Sequence, residues 1–279
     1  MESRRPRHSK QTKSNSPRRR PQKAVRKNTQ LKGDGEVGEK APKTGEIRLN
    51  RYISNSGVCS RRDADVLIEK GLISVNGKVT TEMGLKVKPY DKVHYKGKLL
   101  SRERLVYLLL NKPKGFITTT DDPEDRKTVM NLVEKACTER IYPVGRLDKN
   151  TTGLLLFTND GKLSKELTHP SHEVKKIYQV ELAQRISDED LEKIEAGMEL
   201  EDGAVKVDNL VVLDNKRKKL GLELHIGRNR IVRRLFEQLG YEVTKLDRVF
   251  FAGLTKKNLP RGKWRFLHPK EVIWIKHMR

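Results

Sequence analysis

The chain has 279 residues, enough for two domains with separate hydrophobic cores. Its 60 Lys and Arg against 37 Asp and Glu give a formal charge of +23, far more than solubility requires, which indicates a nucleic acid partner. The only cysteines, Cys59 and Cys137, are far apart in the sequence, which excludes a disulfide framework and a cysteine zinc site. The sequence has neither a long apolar run nor an apolar leader, which predicts a cytoplasmic protein with no membrane contact.

Residues 1–46 are predicted to form a disordered basic arm. They contain no Phe, Trp or Tyr, and the first 32 residues hold 12 Lys and Arg and a single acid, Glu2. A segment with so little apolar surface cannot form a core and stays flexible. Non-specific contact with RNA is favoured for this arm over a merely solubilising tail.

Residues 47–104 are predicted to form a small helical and hairpin module. An apolar i, i+3, i+4 pattern in residues 49–53 predicts one helix, and Ser60 with Asp63 has capping-box spacing at the start of a second. Asn76 and Gly77 then form a two-residue turn between short apolar runs, which is typical of a β-hairpin.

This module is basic on its surface and resembles a known RNA-binding domain. The stretch IRLNRYISNSGVCSRRDADVLIEKGLISVNGKV is similar to the S4 domain, chiefly in its SRRDAD helix start and its ISVNGK hairpin. The resemblance implies a platform for structured RNA, with Arg61, Arg62 and Lys78 on phosphates. By itself it implies no chemistry.

Residues 105–279 show many strands and few interleaved helices. Strands are predicted at 105–110, 154–158, 177–182, 205–213, 219–226 and 242–251, with helices at 187–196 and 230–239. This order favours an α+β domain on a largely antiparallel sheet over βαβ winding. Neither GxGxxG nor a P-loop occurs, so nothing in the sequence supports a nucleotide cofactor.

Asp148 is the candidate for chemistry, in the stretch GRLDKNTTG between Arg146 and Lys149. An Asp before Lys-Asn-Thr-Thr-Gly suits a surface turn, where its carboxylate satisfies backbone N–H groups. An acidic nucleophile or base held beside cations fits equally. Composition alone favours the turn.

Four motifs in a fixed order decide between these interpretations. LNKPKGFITT, GRLDKNTTGLLLFTNDG, KKIYQVEL and GRNRIVRRLFEQLGYEVTKLDRV resemble the Rsu-type ribosomal RNA pseudouridine synthases, over roughly residues 47–270. The resemblance implies that a uridine already in RNA is isomerised without a cofactor or a metal. GRNRIVRR, MELEDG and LPRGKWRFL favour the large-subunit branch over the small-subunit branch.

The resemblance also implies roles for individual residues. The family's essential aspartate falls on Asp148, where attack at C1′, attack at C6 and a glycal route with Asp148 as base stay open. Tyr178 matches the tyrosine that stacks on the uracil, although its spacing also fits a core tyrosine. Arg146 is expected to hold flipped-out RNA, with a strand-end salt bridge as the alternative.

The helix at 230–239 has one apolar stripe and several arginines. At about 100° per residue, Arg233 lies at the edge of the stripe, where it can reach a partly buried carboxylate. It also matches the family's cation that pairs with the catalytic aspartate. Arg230 and Arg234 lie opposite the stripe, and with Arg228 they are predicted to bind RNA.

The expected partner is ribosomal RNA or a ribosomal-subunit precursor, bound by a monomer. A non-enzymatic S4-domain assembly factor is the first alternative, and the presence of Asp148, Tyr178 and Arg233 argues against it. The same chemistry on small-subunit RNA is the second. A DNA-binding protein with a basic tail is the third, and no recognition-helix motif supports it.

Overall fold

The structure is a computed structural model that describes residues 45–278. The predicted basic arm therefore lies outside the described residues, apart from Gly45 and Glu46. Within residues 45–278, no helix is long and apolar enough to cross a membrane.

The S4-like segment folds around a core of its own. Its elements are β1 (Ile47–Arg48), α1 (Leu49–Asn55), α2 (Arg61–Glu69), β2 (Ile73–Val75), β3 (Lys78–Val79), β4 (Lys86–Val87), β5 (Val93–Tyr95) and β6 (Lys98–Leu99). Strand β1 pairs antiparallel with β4, and the other four strands form a sheet in the order β3-β2-β5-β6. Leu49, Ile53, Ile68 and Ile73 are buried between the helices and this sheet.

The local chemistry of this segment confirms the sequence prediction. Ser60 Oγ accepts the Asp63 N–H at 3.2 Å, and the Asp63 carboxylate accepts the Ser60 N–H at 3.3 Å, so both halves of the capping box form. Asn76 and Gly77 have φ values of 52° and 83°, the positive angles that a two-residue hairpin turn of this kind requires.

Glu103 joins the S4-like segment to the rest of the chain. Its backbone N–H donates to the carbonyl of Asn55 at the end of α1, at 2.9 Å. Its carboxylate accepts the backbone N–H of Arg140 at 3.2 Å and the side-chain amide of Asn159 at 3.4 Å. One residue thus forms hydrogen bonds to the S4-like segment and to the residues that follow it.

The remaining residues form the larger part of the described chain. The strands are β7 (Tyr107–Lys112), β8 (Tyr142–Pro143), β9 (Thr152–Thr158), β10 (Lys176–Leu182), β11 (Met198–Leu200), β12 (Gly203–Val205), β13 (Asn209–Val212), β14 (Lys219–Leu224), β15 (Val243–Phe251), β16 (Leu254–Thr255) and β17 (Trp264–Phe266). The helices are α3 (Met130–Val133), α4 (Gly161–Thr168), α5 (Asp188–Ala196), α6 (Ile231–Gln238) and α7 (Pro269–His277), with a 3₁₀ turn at Pro170–His172.

Seven of these strands make one mixed sheet in the order β13-β14-β10-β15-β9-β7-β17, with β16 beside β15 and β8 beside β9. The pairings are antiparallel except for β9 with β15, which run parallel with Thr152 opposite Asp247 and Gly153 opposite Arg248. Helices cover the sheet without alternating regularly with its strands. The predicted α+β class with a largely antiparallel sheet is confirmed.

Three apolar clusters pack on this sheet. One joins β10, β14 and β15 to α5 and α6, with Phe236 and Leu222 at its centre. A second lies between β7, β9, α4 and α7, and a third lies on the other face of β7 and β9. Asp188–Ala196 begins as predicted, because Ser187 Oγ accepts the N–H of Asp190 at 3.1 Å.

The predicted strand at 205–213 is wrong in its extent. Gly203, at φ 106°, lets β12 turn back on β11, and the chain then leaves this hairpin before β13 begins at Asn209. Val205 and Val207 are both buried, so buried and exposed residues alternate here as they do in one continuous strand, although the strand is interrupted. Helices α4 and α7 were not predicted, although Asp160 and His268 cap them.

Candidate active site

A cavity of ≈ 270 Å³ opens between the loop of residues 144–151, the start of β10 and the segment that leads into α6. Asp148 and Tyr178, both predicted from the sequence, line it. Lys176 and Arg248, which were not predicted, line it as well. The cavity thus brings one carboxylate, one phenol, the buried guanidinium of Arg248 and the half-buried ammonium of Lys176 together.

The loop that carries Asp148 is held from behind by Lys112 at the end of β7. This side chain is 0% exposed, and its Nζ lies 2.9–3.3 Å from four carbonyl oxygens. These oxygens belong to Pro113, Asp148, Lys149 and Thr151. Asp148 therefore stands on a loop whose backbone is fixed by a charged donor.

The charge on Lys112 is set by its surroundings. Burial lowers the pKa of its ammonium to about 8, against the opposite pull of the Asp148 charge and with a further lowering by Arg261. At neutral pH the protonated form predominates, so its donors are available to the loop carbonyls.

Tyr178 and Arg248 stand opposite each other on neighbouring strands. They are register partners in the β10–β15 pair, and a register shift between Ile177 and Tyr178 interrupts the ladder beside them. Directly opposed residues project from the same face of a sheet, and such irregularities re-aim side chains near sites. Tyr178 is half-buried and packs against two of the apolar clusters, which also fits the core interpretation.

Arg248 is 3% exposed. Its Nε donates to the carbonyl of Leu154 at 2.8 Å, and its guanidinium lies 4.5 Å from the ring centroid of Phe251. Its Nη2 is closed to solvent and has no hydrogen-bond partner among residues 45–278. Thr151 Oγ1, also in the cavity wall, is buried in the same way without a partner.

Lys176 is the second cation of the wall. Its Nζ donates to the carbonyls of Val174 and His225, each at 2.7 Å. Burial and, to a smaller extent, the Arg248 charge lower its pKa, the Asp208 charge opposes them, and the resulting pKa is about 8. The wall therefore carries positive charge that is satisfied mainly by backbone dipoles.

The expected ion pair between Arg233 and Asp148 is not formed in the structure. Arg233 Nη1 donates to the carbonyl of Val243 at 2.9 Å, and Arg233 is not among the residues that line the cavity. The predicted position of Arg233 around the helix is confirmed, because Arg233 lies at the edge of the apolar stripe and is half-buried. What lies opposite that edge is the backbone at the start of β15.

Arg228 and Arg234 are less free for RNA than expected. Arg228 donates to the carbonyls of Gly203 and Ala204 at 2.7 and 3.1 Å, and Arg234 donates to Asp202 at 2.7 Å. Both arginines therefore hold the β11–β12 hairpin. Arg234 is half-buried and paired, not free in solvent, and its contact with RNA stays a prediction, as does that of Arg228.

The pairing of Arg234 with Asp202 leads to a prediction about stability. Arg234→Ala and Asp202→Ala should each lower the melting temperature by a few degrees, and the double variant should lose less than their sum, because either change breaks the same contact. Thermal unfolding of the four proteins measures this. Strictly additive losses would mean that the pair contributes nothing.

The other predicted RNA-binding residues keep exposed side chains. Arg146 and Arg230 are exposed and line the cavity, and Arg230 also pairs with Glu237 at 3.1 Å. Arg61, Arg62 and Lys78 are exposed on α2 and β3. These five residues remain predictions as RNA contacts.

Three charged residues of the site were missed although they lie in the quoted motifs. Lys112 is in LNKPKGFITT at the end of β7, Lys176 is in KKIYQVEL at the start of β10, and Arg248 is in TKLDRV inside β15. The available signal was a cation inside or directly beside a predicted strand, because buried Lys and Arg are rare unless they have a function or a partner.

Comparisons with known proteins agree with this geometry. The model of the RNA pseudouridylate synthase family matches residues 106–238, and the S4 domain model matches residues 47–93. The ribosomal large subunit pseudouridine synthase B of Bacillus subtilis is 44% identical over 229 residues, which cover 81% of this chain and 93% of that protein. The dual-specificity RNA pseudouridine synthase RluF of Escherichia coli O157:H7 is 38% identical over 81% of this chain and 77% of its own length.

A solved structure described as a pseudouridylate synthase also aligns with this chain. Its TM-score is 0.60 at 28% sequence identity, and the alignment covers 82% of this chain and 99% of that one. The sequence relatives, the S4 domain and the cavity with Asp148 and Tyr178 therefore lead to one conclusion. The chain belongs to the RNA pseudouridylate synthase family, in its Rsu-type form with an N-terminal S4 domain, and is an isomerase.

Proposed function

We propose that the protein converts a specific uridine of ribosomal RNA, in the large subunit, to pseudouridine, with Asp148 as the catalytic nucleophile or base. The observation that supports this is the placement of Asp148 in a cavity with Tyr178, on a loop fixed by Lys112. The large-subunit relative at 44% identity supports the choice of subunit.

The proposed reaction begins with a uridine turned out of the RNA stack into the cavity. The C1′–N1 bond breaks, the uracil rotates, and C5 is joined to C1′, after which C5 loses its proton and N1 takes one up. Asp148 acts by attack at C1′, by attack at C6, or by removing a ribose proton to give a glycal. All three routes need a carboxylate that the loop holds at the cavity wall.

The other cavity residues have supporting roles in this proposal. The Tyr178 ring stacks on the uracil, and its hydroxyl assists in removing the C5 proton. Arg146, exposed at the cavity, holds the RNA backbone beside the flipped nucleotide. Arg233 is bound to the carbonyl of Val243 and is not part of the proposal.

The S4-like residues 47–104 bind the RNA in this proposal, and residues 105–279 perform the reaction. The protein acts in the cytoplasm as a monomer. Exposed Arg61, Arg62 and Lys78 contact phosphates, which positions the RNA without reading its sequence.

Mapping of pseudouridine tests the proposal. Purified protein is incubated separately with unmodified large-subunit and small-subunit ribosomal RNA, and pseudouridines are located in each. One new site in the large-subunit RNA is expected. A new site in the small-subunit RNA instead would correct the substrate, and binding without any new site would favour the assembly factor.

A further inference from the structure

Arg248 is a buried cation for which residues 45–278 provide no anion. None of their ion pairs within 4.0 Å includes it, and the structure gives its guanidinium one hydrogen bond, from Nε to Leu154. A guanidinium stays protonated in proteins, and burying a charge without a partner is costly. Such a group is retained where a ligand or a reaction supplies the missing negative charge.

The position of Arg248 indicates which ligand this is. The residue lines the same cavity as Asp148 and is the register partner of Tyr178. Thr151 Oγ1, three residues after Asp148, is a second buried polar atom in this wall with no partner. In the proposed reaction the uracil of the flipped nucleotide enters this cavity and meets both groups, whereas exposed Arg146 is left for the phosphates outside it.

The reaction itself generates negative charge at this place. When the C1′–N1 bond breaks, both electrons of the bond remain on the uracil and spread over N1, O2 and O4. The ribose C1′ forms a new bond to Asp148 or, in the glycal route, a double bond to C2′ as Asp148 removes the C2′ proton. Attack at C6 also moves charge onto O4. In every route a uracil carbonyl oxygen becomes more negative than in the ground state.

We propose that Arg248 is a catalytic residue that donates a hydrogen bond to a carbonyl oxygen of the target uracil and stabilises the negative charge on the detached base. This rests on the proposed isomerisation of uridine. A fixed cation buried in a protein wall acts more strongly than one in water, and it favours the charged state over the neutral ground state. Lys176, beside it in the wall, adds to the positive field.

A leaving-group experiment distinguishes this role from a structural one. A fluorine at C5 makes the uracil anion intrinsically more stable, so 5-fluorouridine needs less help from a cation. Arg248→Met should slow the single-turnover cleavage of the uridine C1′–N1 bond about 100-fold, the scale of losing one donor to a developing oxyanion. The loss with 5-fluorouridine should be several-fold smaller. The probe is a large-subunit RNA fragment transcribed with either nucleotide.

Two further variants distinguish a catalytic role of Arg248 from a structural one. Arg248→Lys keeps the positive charge but not the planar guanidinium, so it should lose less activity than Arg248→Met. Its loss should also be larger with uridine than with 5-fluorouridine. This variant decides the question if Arg248→Met fails to fold. Arg261→Met is the matched control, because Arg261 pairs with Asp247 of the same strand but does not line the active cavity. Its uridine to 5-fluorouridine rate ratio should equal that of the wild type.

The proposal is overturned if the Arg248 variants lose the same cleavage rate with uridine and with 5-fluorouridine. It is also overturned if they lose RNA affinity tenfold while the cleavage rate stays unchanged, because that result indicates a contact with phosphate. Neither result affects the proposed function as long as the wild type forms pseudouridine. A wild type that forms none refutes the proposed function instead.

Discussion

Asp148→Asn should reduce pseudouridine formation by about 10⁴-fold or more, the scale of removing a reacting side chain from an enzyme. An amide can neither attack carbon nor take a proton at neutral pH, so all three routes fail. The loop itself should persist, because Lys112 holds the backbone oxygen of Asp148 and not its carboxylate. RNA affinity and melting temperature should therefore change little, as single-turnover assays, binding titrations and thermal unfolding will measure.

Asp160→Asn is the matched control for this variant. Asp160 caps α4 by accepting the N–H groups of Lys162 and Leu163, each at 3.2 Å, and it does not line the cavity. Asparagine is about as good an N-cap as aspartate, so activity should stay close to wild type. If Asp148→Asn retains turnover, or if the two variants lose activity alike, Asp148 is not the reacting carboxylate.

The parts of the fold that sequence analysis predicted well are those decided by neighbouring residues. The Ser60 capping box, the Asn76-Gly77 turn and the Ser187 cap depend on side chains within three positions of one another. The apolar stripe of α6 is likewise a property of one segment. Local rules of this kind hold wherever the segment ends up in the molecule.

The parts that were missed depend on segments far apart in the chain. No local pattern announces that β15 runs parallel to β9, since Gly153 and its partner Arg248 are 95 positions apart in the sequence. The same limit explains the error at Arg233. Its position around the helix was predictable, but whether it faced Asp148 or the carbonyl of Val243 was set by the strand that packs there. Family resemblance placed Asp148 and Tyr178 in the cavity, yet it did not identify Arg248.

Gly153→Ala should lower the free energy of unfolding more than the addition of one methyl group at any other position of this sheet. Gly153 has φ 108°, which L side chains rarely adopt, and a Cβ there would lie 2.6 Å from the backbone nitrogen of Arg248 and closer still to its carbonyl oxygen. Backbone atoms cannot swing away as a flexible side chain can, so the β9–β15 pairing has to open. We expect a loss of about 3–5 kcal/mol in the free energy of unfolding, from the combined cost of backbone strain and overpacking.

Gly240→Ala separates these two contributions. Gly240 also has a positive φ, 80°, but a Cβ there meets nothing within 4 Å, so it should cost only about 1 kcal/mol. Denaturant titration of both variants gives the difference in unfolding free energy, which is the cost of the close approach alone.

Because β9 and β15 form the one parallel pairing among the strands of residues 45–278, its opening also displaces the loop of Asp148 from Arg248. Gly153→Ala should therefore lose isomerase activity at temperatures where it is still folded, whereas Gly240→Ala should not. Equal stability of the two variants would mean that the sheet tolerates a side chain at this crossing, and that the cavity does not depend on it.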